Sequence, residues 1–301
     1  MKAPFPFFGG KSKMAGVVWE RFGDVNNYVE PFFGSGAVLL GRPPRFHGTE
    51  TVNDKDCYIA NFWRAIQAEP HEVAAWADWP VNEIDLHARH VWLLNQREEL
   101  RRHVSDNPHY FNMKIAGWWV WGLCQWIGGA WCDQNRPMDE NHRPPRRMPR
   151  PFTPGVWLRG HDSIYGYFEA LAERLRGVRV LCGEWDRVLG PSQTTALGLT
   201  AVFLDPPFSI RRAEEPVYGQ DDRNVAHQAC EWAIANGRNP GLRIALCGYE
   251  GEHEMPADWM SVTWDHSMGY SEHGKGQGRK REVIWFSPYC LQAIQIPFGG
   301  I

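Results

Sequence analysis

Short apolar runs rich in β-branched and aromatic residues alternate along this chain with stretches whose apolar residues recur every three to four positions. No other feature restricts the fold as much. Asn27 to Phe32 reads as a strand, Ser35 to Leu40 opens a helix after a glycine turn, and Glu50 to Asp54 reads as a second strand. Ile59, Phe62, Trp63 and Ile66 then fall at i, i+3, i+4 and i+7. That spacing predicts one face of a helix that begins at Asp54 or Asp56 and ends before Pro70. A strand, helix, strand, helix opening favours a parallel sheet with helices on its faces.

The texture changes between residues 81 and 159, where helical patterns around Leu86 to Val104 and Asn112 to Ile127 run into a proline- and arginine-rich stretch from Arg136 to Pro154. This segment reads as a helical insert, leaving residues 1–80 and 160–301 as the main domain. Alternation then resumes. A helix carries Ile164, Tyr167, Phe168, Leu171 and Leu175 on one stripe, and strands are predicted at Val178 to Cys182 and Thr200 to Leu204. A helix from about Asn224 to Asn236, stopped by Gly237, precedes a strand from Leu242 to Cys247. Two late strands, Met260 to Trp264 and Glu282 to Phe286, flank a glycine- and lysine-rich loop from Gly269 to Lys280. The loop is short enough for an antiparallel hairpin, so the expected sheet is mixed.

Composition narrows the class. A chain of 301 residues holds one large α/β domain or such a domain with an insert. No stretch approaches the roughly 18 apolar residues of a membrane span, and Met1 to Lys13 lacks an apolar signal core, so a cytoplasmic protein is expected. The seven cysteines include no Cys-x-x-Cys pair, and Cys124, Cys132 and His142 match no zinc spacing. Buried thiols and no metal are expected. The formal net charge of −3 argues against a protein that coats nucleic acid, so any contact with nucleic acid has to come from local basic patches. Two stand out. Arg136, Arg143, Arg146, Arg147 and Arg150 are opposed by Asp139 and Glu140. Lys275, Arg279, Lys280 and Arg281 are opposed by Glu272 and Glu282. For the first patch a solvated linker carries comparable weight. Trp118, Trp119, Trp121 and Trp126 are read mainly as helix core.

Three motifs carry chemistry. Asp205-Pro206-Pro207-Phe208 directly follows a strand, where open α/β sheets bind ligands. The two prolines remove backbone donors, so the turn offers only acceptors, the Asp205 carboxylate and free carbonyl oxygens. Such a turn suits a substrate amine with two hydrogens to give, and Phe208 offers a stacking face. The competing reading is a strand-terminal turn whose aspartate caps a helix. Glu30-Pro31-Phe32-Phe33-Gly34-Ser35-Gly36 ends the first strand in a bend where the backbone can approach a ligand closely. Position 39 is Leu, so the dinucleotide fingerprint fails and a nicotinamide cofactor is disfavoured. Asp54, ending the next strand, is placed to accept both hydroxyls of a ribose. Phe7-Phe8-Gly9-Gly10-Lys11-Ser12 has the look of a phosphate loop, but Phe5 stands where that loop needs glycine. An aromatic pair, a glycine turn and a lysine suit stacking on a cofactor ring with a cation nearby.

Together, and in this order, the motifs resemble the Dam-type family of adenine DNA methyltransferases. The resemblance implies a Rossmann-like domain that uses S-adenosylmethionine and no metal. It also implies double-stranded DNA as partner and an insert over residues 81–159 that recognises the target. Carried over by position, Phe7 stacks near the cofactor, with Phe8, Gly9 and Gly10 in the same motif, and Lys11 sits between cofactor and DNA. Glu30, Pro31, Phe32, Gly34, Ser35 and Gly36 wrap the methionine end, and Asp54 takes the ribose hydroxyls. Glu184 and Trp185 correspond to the acid and aromatic of the family's Gly-Asp-Phe, whose acid hydrogen-bonds the cofactor's adenine. Asp205, Pro206, Pro207 and Phe208 hold the target base.

This chain departs from the family at three places. Phe208 stands for the usual Tyr, Glu184 for an Asp, and Ile127 to Cys132 lacks the arginine of the family's middle motif. The alternatives are an N4-cytosine methyltransferase, in which Ser commonly replaces the turn's Asp, and an inactive DNA-binding relative. A base amine inside a duplex also has to be extruded before it reacts. The expected setting is a bacterial or phage-infected cell.

Overall fold

A computed structural model describes residues 1–7, 11–44, 46–127, 131–132, 156, 158, 160–207, 220–264 and 281–292, with backbone only at 220–223. Among these lie eight α-helices and seven strands. Among the described residues three strand pairs run parallel and two antiparallel. The architecture is therefore mixed α/β, in agreement with the Rossmann-like expectation. The chain divides into two compact units.

The first unit comprises Met1–Ser12, Pro31–Gly41 and Thr49–Leu189. It holds the one-turn helix α2 (Ala37–Leu40), strand β2 (Thr49–Asp54), helices α3 (Cys57–Ala68), α4 (Pro70–Ala77), α5 (Glu83–Asp106), α6 (Met113–Gln125) and α7 (Ile164–Leu175), and strand β3 (Val178–Cys182). Asp56 caps α3 by accepting the amide of Tyr58 at 2.8 Å. Asn82, Asn112 and Ser163 cap α5, α6 and α7 in the same way. Arg64 of α3 draws three elements together, donating to the carbonyls of Val180 and of Val104. Phe5, Phe62 and Trp119 meet edge to face or tilted at 5.2 to 5.8 Å, joining the N-terminal segment, α3 and α6 in one apolar core.

The second unit comprises Lys13–Glu30, Arg42–Gly48 and Gly190–Ile301. Its elements are α1 (Ala15–Phe22), β1 (Asn27–Glu30), β4 (Thr200–Leu204), α8 (Gln220–Asn236), β5 (Leu242–Tyr249), β6 (Met260–Trp264) and β7 (Glu282–Phe286). The strands run in the order β1, β4, β5, β7, β6. Every residue of β4 is buried, as its unbroken apolar run requires of a central strand. β6 alternates exposed and half-buried residues, as an edge strand should. The loop joining β6 to β7 falls outside the described residues.

Two helices were not foreseen. Pro70, which stops α3, is also the first residue of α4, where its fixed φ and missing N–H cost nothing. α1 buries Ala15, Val18, Trp19 and Phe22. The expected strand Asn27 to Phe32 ends at Glu30, and the expected helix start at Ser35 moves to Ala37, because Gly36 takes a left-handed conformation as its cap. All seven cysteines are free and buried, as expected. Trp119, Trp121 and Trp126 are buried, while Trp118 is half-buried against Lys114 and Arg89. No helix among the described residues is long and apolar enough to cross a membrane.

Candidate functional site

In the first unit the glycine bend is pinned from several sides. The amide of Gly34 donates to Oδ2 of Asp54 at 2.8 Å, and the buried indole N–H of Trp63 donates to the Gly34 carbonyl at 3.0 Å. Gly36 donates to the Phe33 carbonyl at 2.8 Å, closing the turn into α2. The bend needs glycine twice. Gly34 has φ +48° and Gly36 φ +65°. A Cβ at Gly34 would also lie 2.6 Å from the ring of Phe7, so Phe7 packs directly on the bend. Phe7 remains 38% exposed and so offers its ring to the outside.

Asp54 ends β2. Its Oδ1 accepts the amide of Asp56 at 2.9 Å, so each carboxylate oxygen holds one backbone donor. Burial raises its pKa from the usual 3.8 to about 7, against the lowering pull of the Gly34 amide and with the charge of Asp56 adding to the rise. Part of the residue nevertheless reaches solvent, so the carboxylate is enclosed without being sealed. A carboxylate has about four lone-pair positions. Two are used here, which leaves acceptor capacity for two hydroxyl groups.

Glu184 and Trp185 follow β3, whose Cys182 pairs with Asp54 across the two strands. The ring of Trp185 stacks on Phe32 of the bend at 5.7 Å with 22° between planes. Glu184 is exposed and ion-paired with Lys55 at 2.9 Å. Phe7, Pro31, Phe32, Gly34, Ser35, Gly36, Asp54, Glu184 and Trp185 all lie in this one unit, and Lys11 does too, only 3% exposed.

The remaining expected residues lie elsewhere. Glu30 ends β1 in the second unit, 2% exposed, where Oε2 accepts the hydroxyl of Tyr28 at 2.8 Å. Asp205, Pro206 and Pro207 leave the C-terminal end of β4 in the same unit, Pro206 buried and its neighbours half-buried. Phe8, Gly9, Gly10 and Phe208 lie outside the described residues. So do Arg136, Arg143, Arg146, Arg147 and Arg150 of the first basic patch and Lys275, Arg279 and Lys280 of the second. Among the described residues no group of three or more His, Cys, Asp or Glu side chains is placed to hold a metal ion.

Residues 7–104 match the model of the family described as D12 class N6 adenine-specific DNA methyltransferase. Over this segment the chain is similar to D12-class adenine-N6 DNA methyltransferases. The family so described acts on the N6 amine of adenine in DNA, which supports the adenine reading over the cytosine one. The matched segment takes in Phe7, the glycine bend and Asp54. No curated protein matches the chain.

Two residues of the site were not singled out in the sequence. Trp63 was read only as part of a buried helix face, yet it holds the bend through its indole N–H. Asn53 was passed over, although an amide side chain just before a strand-terminal acid is itself a signal, since strand ends meet loops whose carbonyls need donors.

Proposed function

We propose that this methyltransferase acts on specific sites in double-stranded DNA with S-adenosylmethionine as donor. The donor would be held by the glycine bend, Asp54 and the Phe32 and Trp185 pair. The observation that supports this most is the hydrogen bond from Gly34 to Asp54. It joins a left-handed glycine turn to a carboxylate with acceptor capacity left for two hydroxyls, the acceptors that a ribose diol requires. Phe7 would lie against the donor, with Pro31, Ser35 and Gly36 lining the bend. Glu184 would accept from the donor's adenine amine. Glu30, Lys11, Phe8, Gly9 and Gly10 complete the expected binding set.

Bound S-adenosylmethionine supplies an electrophilic methyl group. The work of the chain's own residues is to make a poor nucleophile react. The adenine amine has its lone pair delocalised into the ring. The Asp205 carboxylate and the Pro206 carbonyl would accept its two hydrogens, drawing that lone pair out of conjugation, while Pro207 keeps the turn free of competing donors. Phe208 would stack on the base. Rate enhancement would come from orientation and fixed acceptors, with no covalent bond to the enzyme. The base would be extruded from the duplex, at a cost of a few kcal/mol that the pocket offsets. Residues 81–159 would read the target, and the arginines at 136–150 with Lys275, Arg279 and Lys280 would contact phosphates.

The decisive experiment is Asp205→Ala, assayed by calorimetry with S-adenosylmethionine and by methyl incorporation into DNA followed by nucleoside mass spectrometry. Donor binding is expected to persist while N6-methyladenine is lost. Full activity in the variant would remove Asp205 from the mechanism, and absent donor binding in the unaltered protein would remove the donor assignment.

A further inference from the structure

Asn53, the penultimate residue of β2, is fully buried beside Asp54. Its Nδ2 carries two hydrogens and gives one to the Pro31 carbonyl at 3.1 Å and the other to the Gly183 carbonyl at 3.0 Å. Pro31 opens the glycine bend, and Gly183 opens the turn that carries Glu184 and Trp185. Backbone bonds repeat the tie. Phe33 donates to the Asn53 carbonyl at 2.9 Å, and Gly183 donates to the Asp54 carbonyl at 3.2 Å. The aromatic residues just beyond the two tied carbonyls, Phe32 and Trp185, are the pair that stacks.

The Oδ1 atom of Asn53 is buried and has no partner among the described residues. A buried acceptor left unmade costs free energy, so hydrogen bonding as a whole does not explain why this side chain sits here. Its two donors on one atom do. Aspartate has nearly the same shape but would set an acceptor-only group against two carbonyl oxygens. Leucine would leave both carbonyls without a donor.

We infer that Asn53 is a positioning residue for the methyl donor, which sets the Phe32 and Trp185 pair and the glycine bend at a fixed spacing around Asp54 without touching the donor itself. The inference rests on the reading that these loops hold S-adenosylmethionine. A residue that acts in this way controls affinity for the donor and leaves the chemical step and the affinity for DNA alone.

The test is steady-state kinetics and calorimetry on Asn53→Asp, Asn53→Ser, Trp185→Leu and the double variant Asn53→Ser with Trp185→Leu. Asn53→Asp is expected to raise the KM for S-adenosylmethionine about tenfold or more, as expected when buried hydrogen bonds are lost. Both kcat at saturating donor and the KM for DNA should stay within about twofold. The double variant should lose less donor affinity than the two single losses added together, since both act in part through one aromatic pair. Unchanged donor affinity overturns the inference, as do additive losses or a parallel fall in kcat and in affinity for both substrates. Should Asn53→Asp not fold, Asn53→Ser and the double variant decide the matter. If the unaltered protein does not bind S-adenosylmethionine, the donor assignment itself falls. Variants that bind like the unaltered protein overturn only the role of Asn53.

Discussion

The indole N–H of Trp63 donates to the carbonyl of Gly34 across 3.0 Å of fully buried space, linking the middle of α3 to the bend proposed to hold the donor. Trp63→Phe keeps most of the apolar contact and removes only that donor. Leaving a buried carbonyl unsatisfied costs about 1–3 kcal/mol. Urea unfolding should show a loss of that order, and donor affinity should weaken as the bend loosens. A variant as stable as the parent would show that the Gly34 carbonyl finds another partner.

Gly34→Ala should be worse than its size suggests. A left-handed φ costs an alanine about 1–2 kcal/mol, and the new methyl would lie 2.6 Å from the Phe7 ring. The double variant Gly34→Ala with Phe7→Ala removes the collision and leaves the backbone cost. It should remain less stable in urea unfolding than Phe7→Ala alone, by about that backbone cost. Equal stability of the double variant and Phe7→Ala would mean that the backbone strain is negligible.

Asp54 gives the protein a pH dependence of definite sign. Its carboxyl titrates near 7 when folded, against 3.8 in the unfolded chain, because burial disfavours the charge. Between those values the folded state holds a proton that the unfolded state releases. The stability contributed by Asp54 is therefore fully present below about pH 4 and is lost as pH rises through 7. Ribose hydroxyls donate best to the ionised form, so donor affinity should run the other way, rising through pH 7 and levelling above it. Unfolding and calorimetry at pH 5.5 and 8.5, repeated with Asp54→Asn, would check both slopes. Slopes that survive in the variant would assign them to other groups.

The thiols should be inert while the protein is folded. All seven cysteines are buried, and burial pushes Cys182, Cys230 and Cys290 up to about 11 and Cys57 and Cys132 still further. A chromogenic thiol reagent at pH 8 should label none of them quickly and all seven after denaturation. Rapid labelling of one native thiol would expose a local opening that the packing does not show.

The legible parts of the fold were those in which one physical signal dominated. The apolar spacing of Ile59, Phe62, Trp63 and Ile66 located α3, and the run Val178 to Cys182 located β3 to the residue. Pro70 was ambiguous in principle, because the same ring that terminates one helix starts another, and only tertiary packing chooses between the two roles. Gly36 moved a helix start because its left-handed φ is a property of the turn that residue identity permits without requiring it. In the site, the backbone-shaping glycines and the strand-terminal acid could be read directly. Trp63 could not, since a buried side chain that gives a hydrogen bond to a distant carbonyl looks in sequence like any other core residue.

The helix that opens at Gly36 is a single turn of four residues. Longer helices gather aligned peptide dipoles into a partial positive charge at their starts, which favours phosphates and repels cations. One turn sums very few of them. A sulfonium held at this bend would therefore meet little electrostatic opposition, and a cofactor that relies on a pyrophosphate would find almost nothing there to grip.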